Sequence, residues 1–237
     1  MLVQACSLNR NISVQPRTVK PAKRATACPY CLLFLFFICK FAAETITIVF
    51  YQIAAIMGQI SKPKPVNLIA GILTSIPELL EQIDKTLEKH FGSIDLRSDV
   101  LPFTFTDYYN KEMGKGILRQ FYSFEKLIMP DELASIKVQT NHIEESITTS
   151  KKYPVKRPIN IDPGYLNESR LVLASTKDFS HRIYLRDGIY AEITLNYRGG
   201  RYECFPWTFP DYKSSDYHKF LLMARELYVK KLKRGHY

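Results

Sequence analysis

Residues 176–184, Thr176-Lys177-Asp178-Phe179-Ser180-His181-Arg182-Ile183-Tyr184, crowd ionisable side chains into one short stretch. Lys and Arg are the side chains that take phosphate oxygens. A histidine exchanges protons near neutral pH. Just downstream, Asp187-Gly188 is a strong hairpin signal. With a three-residue loop at 186–188, Arg182 stands opposite Glu192, Tyr184 opposite Tyr190, and Ser180 opposite Thr194. These share one sheet face, because side chains alternate along a strand. His181, Ile183 and Leu185 then point the other way, with Ala191 and Ile193. Read for function, Lys177, Asp178, His181, Arg182, Tyr184 and Glu192 line a ligand-facing surface. Read for structure, the same pattern is a salt bridge and an aromatic pair on a half-exposed sheet, with His181 a core histidine donating to a carbonyl.

Two further patches carry carboxylates. In Phe105-Thr-Asp-Tyr-Tyr-Asn-Lys-Glu-Met-Gly114, Asp107, Tyr108 and Glu112 lie near a strand end. In Asn160-Ile-Asp-Pro-Gly-Tyr165, Asp162 is expected in a Pro-Gly turn. Carboxylates so placed could hold a hard divalent cation through oxygen, and Asp107, Asp162 and His181 are the candidate ligands. Asp also starts turns for purely local reasons.

Charge is unevenly spread. Residues 57–150 hold 10 basic and 13 acidic residues, and residues 151–237 hold 17 and 9. A basic, tyrosine-rich sheet could take phosphate groups or stack bases, as single-strand RNA binders do. No P-loop, His-Glu-x-x-His, nucleophile elbow or paired Cys-x-x-Cys occurs beyond residue 56. Gly71-Ile-Leu-Thr-Ser75 leads into a helix start that could hold an anion, or could be an ordinary capped helix.

The elements that must position these groups read as α+β. A buried strand at 66–73 leads into a helix opened by a capping box, Ser75-Ile-Pro-Glu78, and stopped by Gly92. Strands follow near 100–106 and 118–124, then a helix opened by Pro130-Asp-Glu132 with Leu133, Ile136, Thr140, Ile143 and Ile147 inward. A surface loop covers 148–158. Strands at 171–176, 181–185, 189–197 and 201–208 form an antiparallel meander, and a closing helix begins near Ser215. The first half has the order βαββαβ, which is ferredoxin-like.

Composition breaks at Met57. Residues 1–56 hold six Lys/Arg and one acid, four of the five cysteines and no glycine. They read as a leader outside the working domain: a mis-assigned upstream start, or else a membrane or signal segment. A span at 32–56 would carry Lys40 and Glu44, each costing about 2.5–3.5 kcal/mol at mid-membrane. Cys28-Pro-Tyr-Cys31 is similar to a glutaredoxin active site, but no strand precedes it to place the first thiol at a helix N-terminus. One cysteine, Cys204, in residues 57–237 fits a reducing compartment.

Several segments of this domain resemble the bacterial family called domain of unknown function 4416. They are Pro63-Lys-Pro-Val-Asn-Leu-Ile-Ala-Gly-Ile-Leu73, Pro102-Phe-Thr-Phe-Thr-Asp-Tyr-Tyr-Asn-Lys-Glu-Met-Gly114, Asn160-Ile-Asp-Pro-Gly-Tyr-Leu166, the runs 171–185 and 188–200, and Trp207-Thr-Phe-Pro-Asp-Tyr-Lys213. The resemblance covers 57–237 and implies a small cytoplasmic protein without an assigned activity. Some relatives carry a GTP-binding label, for which this sequence lacks a Gly-rich Lys loop.

The expectation is therefore a single α+β domain at 57–237 that binds a phosphorylated or nucleotide-like small ligand. The alternatives are an RNA-binding module and a metal-assisted hydrolase using Asp107, Asp162 and His181.

Overall fold

The computed structural model describes residues 60–235. The readings of residues 1–56, of Met57 as a start and of the Cys28–Cys31 motif lie outside them. From Lys62 onward the chain forms one compact unit. Among the described residues, no helix is long and apolar enough to cross a membrane.

The α+β class is as expected. β1 (Val66–Thr74) leads to α1 (Pro77–Phe91), β2 (Ile94–Arg97), β3 (Leu101–Pro102), the short α2 (Asn110–Met113) and β4 (Leu118–Ile128). Then come α3 (Leu133–Thr149), β5 (Asn160–Leu166), β6 (Arg170–Ser175), β7 (Ile183–Arg186), β8 (Ile189–Arg198), β9 (Arg201–Cys204) and α4 (Ser215–Arg234). The strands join one nine-stranded antiparallel sheet in the order β2-β4-β1-β5-β6-β8-β7, with β3 on β4 and β9 on β8.

β1 is buried along its whole length because helices cover both of its faces. Val66, Leu68, Ala70 and Ile72 pack with α1 and α3 through Leu79, Ile83, Leu87, Ile136 and Ile143. Ile69 packs on the other face with Phe121, Leu171 and Leu195 under Tyr217, Phe220, Leu221 and Tyr228 of α4. A strand buried on both sides reads as a continuous apolar run rather than an alternation.

Four local expectations need correction. Ser75 does not cap α1: Ile76 is the N-cap residue and no side chain caps it. The Ser75 hydroxyl instead donates to the Met113 carbonyl, and Thr74 Oγ1 accepts from the Ile76 N–H at 3.0 Å while donating to the Pro158 carbonyl at 2.7 Å. Both hydroxyls are thus committed, and Gly71 lies inside β1 rather than in a loop before the helix.

The strand expected at 100–106 pairs only at Leu101 and Pro102. Pro102 carries no N–H for the ladder, and after one further bond, Phe103 N–H to the Ile117 carbonyl at 2.8 Å, the chain leaves the sheet. Asp162-Pro-Gly is not a turn but the middle of β5, with Asp162 opposite Gly71. Glycine is needed there for contact: a Cβ on Gly164 would stand 2.5 Å from the Val172 carbonyl and 2.7 Å from Leu173 Cδ2.

Finally, the β7–β8 hairpin closes through two residues, Asp187 (φ 54°) and Gly188 (φ 74°), with a bulge between Tyr184 and Arg186. The Tyr184–Tyr190 pair survives, with ring centroids 5.3 Å apart.

Candidate functional site

A cavity of about 620 Å³ opens over the sheet, walled by aromatic residues of the segment 103–109, by Thr176, Lys177 and Arg182 and by residues 209–212, together with inward side chains of β4, β5, β6 and β8 and part of α3. That volume lies in the range of small-molecule sites. Its walls are aromatic (Phe103, Phe105, Tyr108, Tyr109, Phe209 and Tyr212), and five cations reach it: Arg119, Lys137, Arg157, Lys177 and Arg182. The carboxylates in its lining are Asp162, Glu192 and Asp211.

The floor is built around Arg119, which is 3% exposed. Its guanidinium donates to Asp211 Oδ2 at 3.0 Å and to Asp162 Oδ2 at 3.3 Å. The second contact is possible because Gly71 stands between them: a Cβ there would lie 2.8 Å from Arg119 Nη1. Asn160 Nδ2 donates to the same Asp162 oxygen at 2.7 Å. The rings of Phe103, Phe121, Tyr212 and Tyr217 surround the guanidinium, 5.3–5.9 Å from its carbon to each centroid. Burial opposes the charge of Arg119, but Tyr212, Asp211 and Asp162 more than reverse this, so its pKa is raised. Burial also raises the Asp211 carboxyl, and Arg119 pulls it back only in part. Burial, reinforced by Asp162, holds the Tyr109 phenol protonated above its ordinary range.

A second arm links α3 to β5. Arg157 donates to Glu144 Oε2 at 2.9 Å and to the Asn160 side-chain oxygen, while Lys137 Nζ donates to the Ile161 carbonyl at 2.8 Å. Burial raises the Glu144 carboxyl against the opposing pull of Lys137 and Arg157.

The third arm is the cluster seen at 176–184. Glu192, 1% exposed, sits opposite Leu173 on the cavity face. Its Oε2 accepts from Arg182 Nε at 2.9 Å and contacts His181 Nε2 at 3.0 Å, and Thr194 Oγ1 donates to Oε1 at 3.2 Å. Arg182 also donates to Ser175 Oγ at 2.8 Å and to the Lys177 carbonyl at 2.9 Å. The expected Arg182–Glu192 partnership is therefore present. His181 was expected on the opposite face, and there the expectation fails. Residues 176–182 are a turn rather than strand, closed by Arg182 N–H to the Phe179 carbonyl at 2.9 Å. Alternation does not apply in a turn, so His181 and Arg182 converge on one carboxylate. His181 stands behind Glu192, stacked at 5.2 Å on Trp207, and Ser180 has no place opposite Thr194 in the ladder.

Of the residues singled out from sequence, Lys177, Arg182, Glu192, Tyr108 and Asp162 line the cavity. Asp107, Glu112, Asp178 and Tyr184 are exposed and do not. Asp107 Oδ1 accepts from Asn110 Nδ2 at 2.6 Å, a local contact at the start of α2. The proposed metal set does not form: Asp162 is bound to Arg119 and Asn160, His181 to Glu192, and Asp107 to Asn110. Among the described residues, no three His, Cys, Asp or Glu side chains gather as a metal site.

Arg119, Arg157, Lys137, Asn160 and Asp211 were not foreseen. One signal existed for Arg119: stepping back by two from the apolar Phe121 puts it on the inward face of β4. Asp211 had none, since it sits in an irregular segment before α4.

The fold and cavity define a single-sheet α+β domain with a polar, aromatic-walled pocket. A sequence profile described as "domain of unknown function (DUF4416)" matches residues 64–228, and the chain belongs to that family. No curated protein and no solved structure matches it.

Proposed function

We propose that the cavity binds a phosphorylated or nucleotide-like small ligand. The observation that carries this is the joint presence of six aromatic side chains and five cations around one volume of about 620 Å³. Aromatic faces stack planar rings, and Lys and Arg take phosphate oxygens. Lys177, Arg182, Tyr108, Asp162 and Glu192 are the sequence-derived members of the site, joined by Arg119, Arg157 and Asp211.

A thermal-shift screen of the full chain against nucleotides and phosphorylated metabolites tests the reading. A bound ligand raises the melting temperature by mass action. If no member of the panel raises it, with or without Mg²⁺, the reading fails. Capture of single-stranded RNA with a steep salt dependence, and of no mononucleotide, would replace it with an RNA-binding module.

We also read the first half as ferredoxin-like βαββαβ, formed by β2-β4-β1-β5 with α1 and α3, where β2 and β5 take the places expected from sequence for 100–106 and 171–176. The strand order and the shared core of both helices with one face of β1 support this. A solved structure with α1 and α3 on opposite faces would remove it.

A further inference from the structure

The five cations of the cavity are not equivalent. Arg119 is neutralised by Asp162 and Asp211, Arg157 by Glu144, and Arg182 by Glu192. Lys137 donates to a carbonyl and lies 3.9 Å from Glu144. Lys177 differs: no carboxylate lies within ion-pairing distance of it among the described residues, and its Nζ rests 5.2 Å over the Tyr108 ring, 3.3 Å from the phenol oxygen. Both residues are exposed, so they form the rim of the cavity rather than its floor.

This distribution argues against a phosphate on the floor. A dianion there would lose its hydration and lie beside Asp162 and Asp211, with every guanidinium already paired. The rim offers an uncompensated ammonium that is still in water. The interior offers what a neutral ring needs instead. Phe103 and Tyr109 give apolar faces inside, with Phe105 and Phe209 at the more exposed edge, and the Asn141 amide and Asp162 Oδ1 enter no hydrogen bond among the described residues. Together they present donors and an acceptor to the edge of a planar heterocycle.

We infer that the ligand enters ring first: a planar, hydrogen-bonding heterocycle lies inside against the aromatic wall, and a tethered phosphate stays at the mouth on Lys177. This rests on the phosphorylated-ligand reading and gives it a direction. The ligand class is a small molecule with one polar ring and a phosphate at its far end, such as a nucleoside monophosphate.

The test is isothermal titration of the full chain with ribonucleoside monophosphates, the matching nucleosides and inorganic phosphate. It is run on the wild type, on Lys177→Met at the exposed rim, and on Asn141→Ala, which improves helix propensity at its site. K177M weakens the best monophosphate roughly tenfold, the effect of losing one charge-assisted contact, and leaves its nucleoside unchanged. N141A weakens both alike. Inorganic phosphate alone binds far more weakly than the monophosphate. Equal loss of both ligands in K177M, or no loss of the monophosphate, overturns the orientation while the ligand reading stands. Absence of binding by every phosphorylated compound overturns both.

Discussion

The floor of the cavity and its hairpin wall are both arginine–carboxylate clusters, yet they are built in opposite ways. In the hairpin wall, Arg182, His181 and Glu192 meet across a single hairpin, ten or eleven residues apart. On the floor, Arg119 reaches Asp162 and Asp211 across separations of 43 and 92 residues. The hairpin arginine, Arg182, has spare acceptors in Ser175 Oγ and the Lys177 carbonyl. The floor arginine donates to two carboxylates, and its Nε is buried without a partner among the described residues. A cluster closed by a hairpin can be trimmed and still hold its loop. A cluster that ties β4, β5 and the segment before α4 together should fail as a unit.

That contrast sets the order of expected effects. Arg119→Met leaves Asp162 and Asp211 on the floor without their cation and should cost roughly 3–5 kcal/mol, read as a fall in the urea midpoint. Glu192→Gln should cost less, about 1.5–3 kcal/mol, the range for a hydrogen bond to a charged group, because Arg182 keeps its other acceptors. If the second substitution costs more than the first, the contrast is reversed.

Gly71→Ala attacks the floor without removing a charge. The new methyl would meet Arg119 Nη1 and Phe121 Cε1, each at 2.8 Å. Overpacking of this kind costs about 1–3 kcal/mol, and the loss should shrink when Arg119 is also Met. Equal losses in both backgrounds would mean that Gly71 serves the strand alone.

The smallest effect concerns Tyr217, which packs on the floor arginine. Burial raises its phenol from 10.0 to about 12, partly countered by Arg119. A pKa raised in the folded state stabilises below the unfolded value, so this contribution is whole below pH 10.0 and is lost as pH rises towards about 12. Tyr217→Phe should flatten that alkaline loss in a stability–pH series. Because the hydroxyl is buried and unpaired, the same change should shift stability at neutral pH by no more than about 1 kcal/mol. A tyrosine absorbance titration showing Tyr217 ionising at the ordinary value would contradict the burial argument.

The three long helices, the hairpins at Asp187-Gly188 and Gly199-Gly200 and the α+β class could be read from the chain. Each depends on neighbours: the apolar spacing of Leu79, Leu80, Ile83 and Leu87, the stop at Gly92, and the turn at Asp187-Gly188. The Arg182–Glu192 pair was readable for the same reason, since a hairpin fixes which residues stand opposite. His181 was misplaced because alternation was carried one turn too far, into residues that are not strand. Asp162-Pro-Gly was misread because its dipeptide favours a turn, while the close approach of the β6 backbone demands Gly164 inside a strand.

The sequence by itself determined the long helices, the buried strand β1 and the Arg182–Glu192 pair, because local dihedral preferences, hydrophobic period and hairpin register act over a few residues. Only the tertiary structure decided that Arg119, Asp162 and Asp211 meet on one floor, and that Lys177 stands at the mouth with no carboxylate in ion-pairing distance among the described residues. Those facts depend on β1 lying between β4 and β5 and on the segment before α4 folding back over them. No short-range rule in the chain specifies either contact.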